Sequence, residues 1–171
     1  MKKILIVIIV FFTLLIYTNT NAQYGKVGKS EANAPAKAVY FELGGPGVAA
    51  LNYDMRFTKS ESGIGGRIGI GGFSIGSGSN KATAIFIPLG LNYLLGKDSR
   101  NYFELGAGAS IVSLKEGTTS SNLGATFGYL NFGYRLQPKD GGYFFRAAIN
   151  PIFGKGFFVP YYAGIAFGYK F

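Results

Sequence analysis

The chain of 171 residues has no cysteine, no histidine and no tryptophan. Without cysteine there are no disulfides, no thiolate metal sites and no lipid attached through a lipoprotein cysteine. Without histidine the usual base of a serine nucleophile is missing. Acidic residues are scarce, 8 Asp and Glu against 17 Lys and Arg. The basic excess forms no block: Lys26, Lys29, Lys37, Lys81, Lys97, Arg100 and Lys155 are scattered between the patterned segments. That scatter argues against a nucleic-acid partner and suits a lipid surface rich in acidic groups. Beyond the first residues, no apolar run approaches the ~20 residues of a membrane-spanning helix.

What is present begins with Lys2 and Lys3, followed by the apolar stretch ILIVIIVFFTLLIY and then TNTNA. A basic start, a short apolar run and a small residue at the end predict a secretory signal peptide over 1–22, cleaved after Ala22. QYGKVGKSEANAPAKA has no periodicity and reads as a flexible leader over 23–37. Beyond it the pattern alternates with period two almost to the end, which predicts strands rather than helices. Eight are expected: 38–44, 48–57, 63–75, 83–96, 101–114, 122–136, 142–150 and 159–171. TKSES, KDSR and QPKDG read as short turns, whereas SGSNKA, KEGTTSS and PIFGKGFF read as longer loops, with GPG a short exception. GGPGVAA loosely matches a dinucleotide-binding glycine pattern, but that site needs a following helix. Here LNYDMRF follows, a strand pattern, so the site is rejected.

Sorting strands by parity gives one nearly uncharged face, with Val39, Phe41, Leu51, Ile68, Leu91, Leu105 and Phe132 among its members. The other carries Glu42, Asp54, Arg56, Arg67, Glu104, Arg135 and Arg146, together with Asn52, Asn92, Asn131 and Lys170. A lipocalin-like soluble barrel would turn the apolar face inward around a ligand, and a membrane barrel would turn it outward. Arg on a lipid-facing surface costs ~2–4 kcal/mol at the midplane. The seven charged residues nearly balance, so they are expected inside as a paired network that plugs the bore. Lys170 is expected to reach water at the rim. The sixth segment fits least well, because Leu123, Ala125, Phe127 and Tyr129 share the polar parity; a bulge or a bulky upper interior would each explain it. The fold class expected is all-β, an eight-stranded antiparallel transmembrane β-barrel with up-and-down meander order over 38–171.

YFELGG, LNYDMRF, IPLGLNYLLG, YFELGAG, GYRLQPKDGGYFFRA and the closing GYKF resemble the small eight-stranded outer-membrane β-barrels of Gram-negative bacteria, the OmpA-like and OmpX-like kind. The resemblance implies outer-membrane location, a periplasmic leader, contact with outer-membrane lipid, and insertion by the barrel-assembly machinery. Its most specific element is the final strand, where Tyr169 and Phe171 look like the insertion signal. It implies no shared activity, no catalytic residue, no metal and no cofactor. A structural or interaction role is expected first. A narrow pore or a carrier of a small apolar ligand comes second. A lipid-modifying enzyme comes last, since only an unsupported Ser113–Lys115 pair is on offer. Phe157 and Phe158, in GKGFF, are a candidate loop contact, although such aromatics commonly sit at the membrane interface.

Overall fold

The computed structural model describes residues 35–77, 80–98, 100–116 and 125–171. The expected signal peptide and the leader as far as residue 34 lie outside the described residues. The strands are β1 (Lys37–Gly44), β2 (Ala49–Arg56), β3 (Gly63–Ile75), β4 (Ala82–Leu95), β5 (Asn101–Glu116), β6 (Ala125–Leu136), β7 (Gly142–Ile149), β8 (Ile152–Gly154), β9 (Phe157–Val159) and β10 (Ala163–Lys170). A 3-10 turn, Gly45–Gly47, joins β1 to β2. Pairing is antiparallel throughout, in meander order, and β10 returns to β1 through rungs such as Val39↔Tyr169 and Leu43↔Ile165. Closure leaves the barrel wall without a free edge from its lower end up to the Gly44↔Gly164 rung.

Ten strands make eight staves. β8 prolongs β7 along β6 in one unbroken register, and Leu130 N donates to Pro151 O (2.9 Å) across the interruption. Pro151 ends β7 as a ladder strand because it has no N–H to give. β9 prolongs β10 in the same way, with one extra residue between Val159 and Tyr162, a bulge opposite Asn150–Ile152. PIFGKGFF, expected as a loop, is therefore a hairpin standing on the barrel rim. Its two-residue turn closes on Gly156, whose φ of 82° is easy only for glycine.

The alternation sets which side faces out. Leu51, Ile68 and Leu91 are each more than half exposed on the outer face, whereas Glu42, Asp54, Glu104, Arg135 and Arg146 are at most 1% exposed inside. The sixth stave settles its own ambiguity. β5 and β6 pair without interruption from Asn101↔Leu136 to Val112↔Ala125, so there is no bulge there. Tyr129 is buried and Phe127 packs against the buried Ala84, Phe86 and Val112. The upper interior is bulky and apolar; the lower interior is charged. The β2–β3, β4–β5 and β6–β7 turns and both ends of the described barrel lie at the lower end.

Candidate functional site: an ion chain inside the barrel

Inward positions on six staves deliver the seven charged residues to one another. Arg67 Nη2 lies 2.8 Å from Glu42 Oε2, and Glu42 Oε1 lies 3.0 Å from Arg146 Nη2. Arg146 Nη1 stands 3.6 Å from Glu104 Oε1, and Glu104 Oε2 stands 2.8 Å from Arg135 Nε. Asp54 Oδ1 then takes both Arg135 Nη1 (2.9 Å) and Arg56 Nη2 (2.7 Å). The result is an alternating chain, Arg67–Glu42–Arg146–Glu104–Arg135–Asp54–Arg56, with each carboxylate between two guanidiniums. Cross-links of this kind hold staves far apart in sequence at fixed separations.

Amides complete the chain. Asn92, from β4, donates to Asp54 Oδ2 (2.5 Å) and accepts from Arg56. Asn131 donates to Glu104 Oε1 (3.0 Å) while its carbonyl accepts from Arg146 (2.9 Å) and Asn150 (2.8 Å). Asn52 donates to Glu42 (3.5 Å) and accepts from Arg67 (3.3 Å). Aromatic faces cover the guanidiniums: Arg135 over Phe144 at 5.0 Å, Arg67 over Tyr129 at 5.6 Å and Arg146 over Tyr40 at 5.8 Å. Tyr40 and Phe144 stack on each other at 4.7 Å. Inward glycines clear the space. A Cβ at Gly108 would come within 2.6 Å of the Tyr129 ring, and one at Gly65 would strike the Arg56 guanidinium.

Each end of the bore has a lid. Below, Glu61 from the β2–β3 turn folds over the mouth, where Lys170 Nζ meets its Oε1 at 2.6 Å and Gln137 donates to its Oε2 at 3.1 Å. Lys170 also donates to Lys139 O. Lys170 is only 1% exposed, so the expectation that it reaches water at the rim is wrong: a lysine on the inward parity of β10 points into the mouth, and the turn covers it. Above, the Gly45–Gly47 turn is itself buried, and Ser110 Oγ donates to Pro46 O (2.9 Å).

The remaining candidates lie elsewhere. Tyr169 and Phe171 are half exposed on the outer face of the closing stave. Phe157 turns inward, edge-on to Phe127 at 6.5 Å, whereas Phe158, paired with Phe153, points the other way. Ser113 and Lys115 share the outer face of β5, opposite Ile85 and Thr83, with no acid–base partner within the interior chain. Among the described residues no group of three or more acidic side chains is placed to hold a metal. Parity would have found Tyr40, two residues before Glu42, but Glu61 and Gln137 sit in turns where periodicity carries no signal.

No protein-family model matches the chain, and no curated protein matches it in sequence. Among solved structures it is similar to the N-terminal β-barrel domain of Pseudomonas aeruginosa OprF, at 10% identity and a TM-score of 0.53, covering 81% of this chain and 98% of that one. It is also similar to the attachment invasion locus protein Ail of Yersinia pestis, at 14% identity and a TM-score of 0.43 in a complex with the heparin analogue sucrose octasulfate, covering 81% and 97%. With so little identity, what the OprF likeness establishes is the fold: a closed, eight-stave antiparallel β-barrel in meander order.

Proposed function

We propose that the protein is an outer-membrane β-barrel with a structural or interaction role, exported through its signal peptide, and that the ion chain plugs the bore and holds the barrel's shape. The observation that carries this reading is the inversion of the two faces. Among the described residues more than thirty large apolar side chains are exposed, most of them on the outer face, while fourteen polar or charged residues are buried. In water such a surface would be an association hazard. In a bilayer it is the lipid-facing wall, and the closed ladder satisfies every backbone group that lipid cannot. A soluble carrier would need the opposite arrangement.

The aromatics support the same placement. Phe103 and Tyr134 are cross-strand partners, as are Tyr143 and Tyr169, all near the lower ends of neighbouring staves. With Phe57 and Tyr93 they form a girdle of the sort found at a membrane interface. Outer-membrane lipid and the insertion machinery are the partners this reading names. No catalytic role is assigned. The test is fractionation with gel mobility: mature protein should partition with outer membranes and migrate differently before and after boiling. Recovery as soluble periplasmic protein, without detergent, would refute the placement.

A further inference from the structure

Above the Gly45–Gly47 turn the barrel is neither charged nor closed. β1 last pairs with β10 at Gly44↔Gly164, and β2 last pairs with β3 at Ala50↔Gly71. β3 runs on to Ile75 paired only to β4, and β9 stands paired only to β8 among the described pairings. Among the described residues the wall is therefore two staves short there. β3 continues four residues past Gly71, about 13 Å of strand. The inward faces around this gap are apolar. Ala84, Phe86 and Val112 form a buried floor with Val48 and Phe127 against them. Phe73 lies opposite Ala84 and stacks on Phe86 at 5.9 Å, and Phe157 meets Phe127.

These inward residues are nonetheless exposed. Phe73 is 42% exposed, Ile75 65% and Phe157 45%, although each points to the barrel axis rather than to lipid. On β3, β4 and β5 the outer face at this height has turned polar, with Ser74 bonded to Thr83 (2.9 Å) and Lys115 opposite Thr83. At this end Lys81 and Lys155 lie in connections, and Lys115, on the outer face, and Glu116 end β5. An apolar cup, open to one side at headgroup height with Lys81 and Lys155 in the connections at its rim, complements a molecule with one hydrocarbon chain and an anionic head.

We propose that this cup binds a single-chain anionic amphiphile, entering through the gap between β3 and β9, its chain against Phe86, Val112 and Phe127 and its head among the rim lysines. The site is separate from the ion chain, and its binding does not depend on whether the bore conducts.

The chain has no tryptophan, so one introduced residue is a clean reporter. Phe127→Trp would report from the cup and Leu91→Trp from the lipid-facing wall. Both variants, in phosphatidylcholine nanodiscs, are titrated with dibromo-octadecanoate and, separately, with a brominated lysophosphatidic acid. The expected result is saturable quenching at Phe127→Trp, reversed by the unbrominated compound, and non-saturating quenching at Leu91→Trp. Half-saturation should weaken roughly tenfold on adding Phe73→Asp or on replacing Lys81 and Lys155 with Glu, and also for the brominated alcohol that lacks the charge. Quenching by both compounds or by the lysolipid alone supports the cup, the second outcome assigning a membrane lipid and not a diffusible acid. Parallel, non-saturating quenching at both reporters would show partition alone and overturn the proposal, as would no quenching at Phe127→Trp. Brominated phosphatidylcholine should quench Leu91→Trp; failure there would count against the membrane placement and leave the cup result standing.

Discussion

Each carboxylate of the ion chain serves two arginines, which makes single removals costly. Glu104→Ala would leave Arg135 to Asp54 alone and Arg146 to Glu42 alone, a buried chain of four arginines with two carboxylates. Breaking a buried pair by removing one partner costs ~3–5 kcal/mol. Lys115→Ala, at the exposed end of β5, should change stability by no more than about 0.5 kcal/mol. Urea unfolding of the two variants in the same lipid checks the difference, and equal midpoints would contradict the paired interior. Lys170→Ala belongs with the costly class: it leaves Glu61 without its ion pair at the lower mouth, a loss of about 1–3 kcal/mol. Much of this was legible in the sequence, because parity alone separates Glu42, Asp54 and Arg146 from Phe41, Tyr53 and Phe145. Lys170 had the right parity too. What the pattern lacked was Glu61, a turn residue whose fold-back over the mouth depends on tertiary placement.

Turns and staves carry the next level. In the β4–β5 turn, Asp98 accepts from the Asn101 side chain (2.5 Å) and from the backbone N–H groups of Asn101 (2.7 Å) and Arg100 (3.1 Å). The Asn101 side chain and then these N–H groups hold its carboxyl below the usual aspartate range. A depressed folded value means the turn gains its stabilisation above the ordinary carboxylate pKa and loses it as pH falls through the lowered one. Protection of the Asn101 amide against exchange, relative to its intrinsic rate at each pH, should accordingly fall on acidification below the ordinary aspartate range, and Asp98→Ala should abolish that dependence. At the closing stave, Phe171 N donates to Lys37 O (2.9 Å) and Lys37 N to Phe171 O (3.3 Å), the last rung of the seal. Deleting Phe171 removes that rung together with an outward aromatic. Folded, heat-modifiable protein in the membrane fraction should fall sharply, with signal-peptide processing unchanged; assembly equal to the parent would make this ending incidental. Seven staves were readable from alternation, and the sixth was not, because Phe127 and Tyr129 are apolar residues facing inward. The hairpin of β8 and β9 was hidden for a different reason: Pro151 and two glycines look like loop punctuation, whereas Pro151 and Gly154 lie along a continuing ladder and, of the three, Gly156 alone is in the turn.

For the whole molecule the question is whether the bore conducts. An eight-stave barrel has an interior just wide enough to be filled by side chains. On the proposed reading two obstructions lie in series. The lower is the ion chain with Tyr40, Phe144 and Tyr129 packed on its arginines. The upper is the Gly45–Gly47 turn, drawn into the lumen by Ser110 and pressed so close that a Cβ at Gly45 would stand 2.6 Å from the Glu42 carboxylate. Opening one leaves the other. Purified protein in planar bilayers is therefore expected to show no steady conductance. Tyr129→Ala, which empties the space above Arg67, should remain silent because the turn still spans the lumen. Ser110→Ala releases the turn's anchor without touching the ion chain, and should remain silent as well. A large, stable pore in the parent would place transport ahead of the structural reading. Current in Ser110→Ala alone would assign the seal to the turn and demote the ion chain to a scaffold.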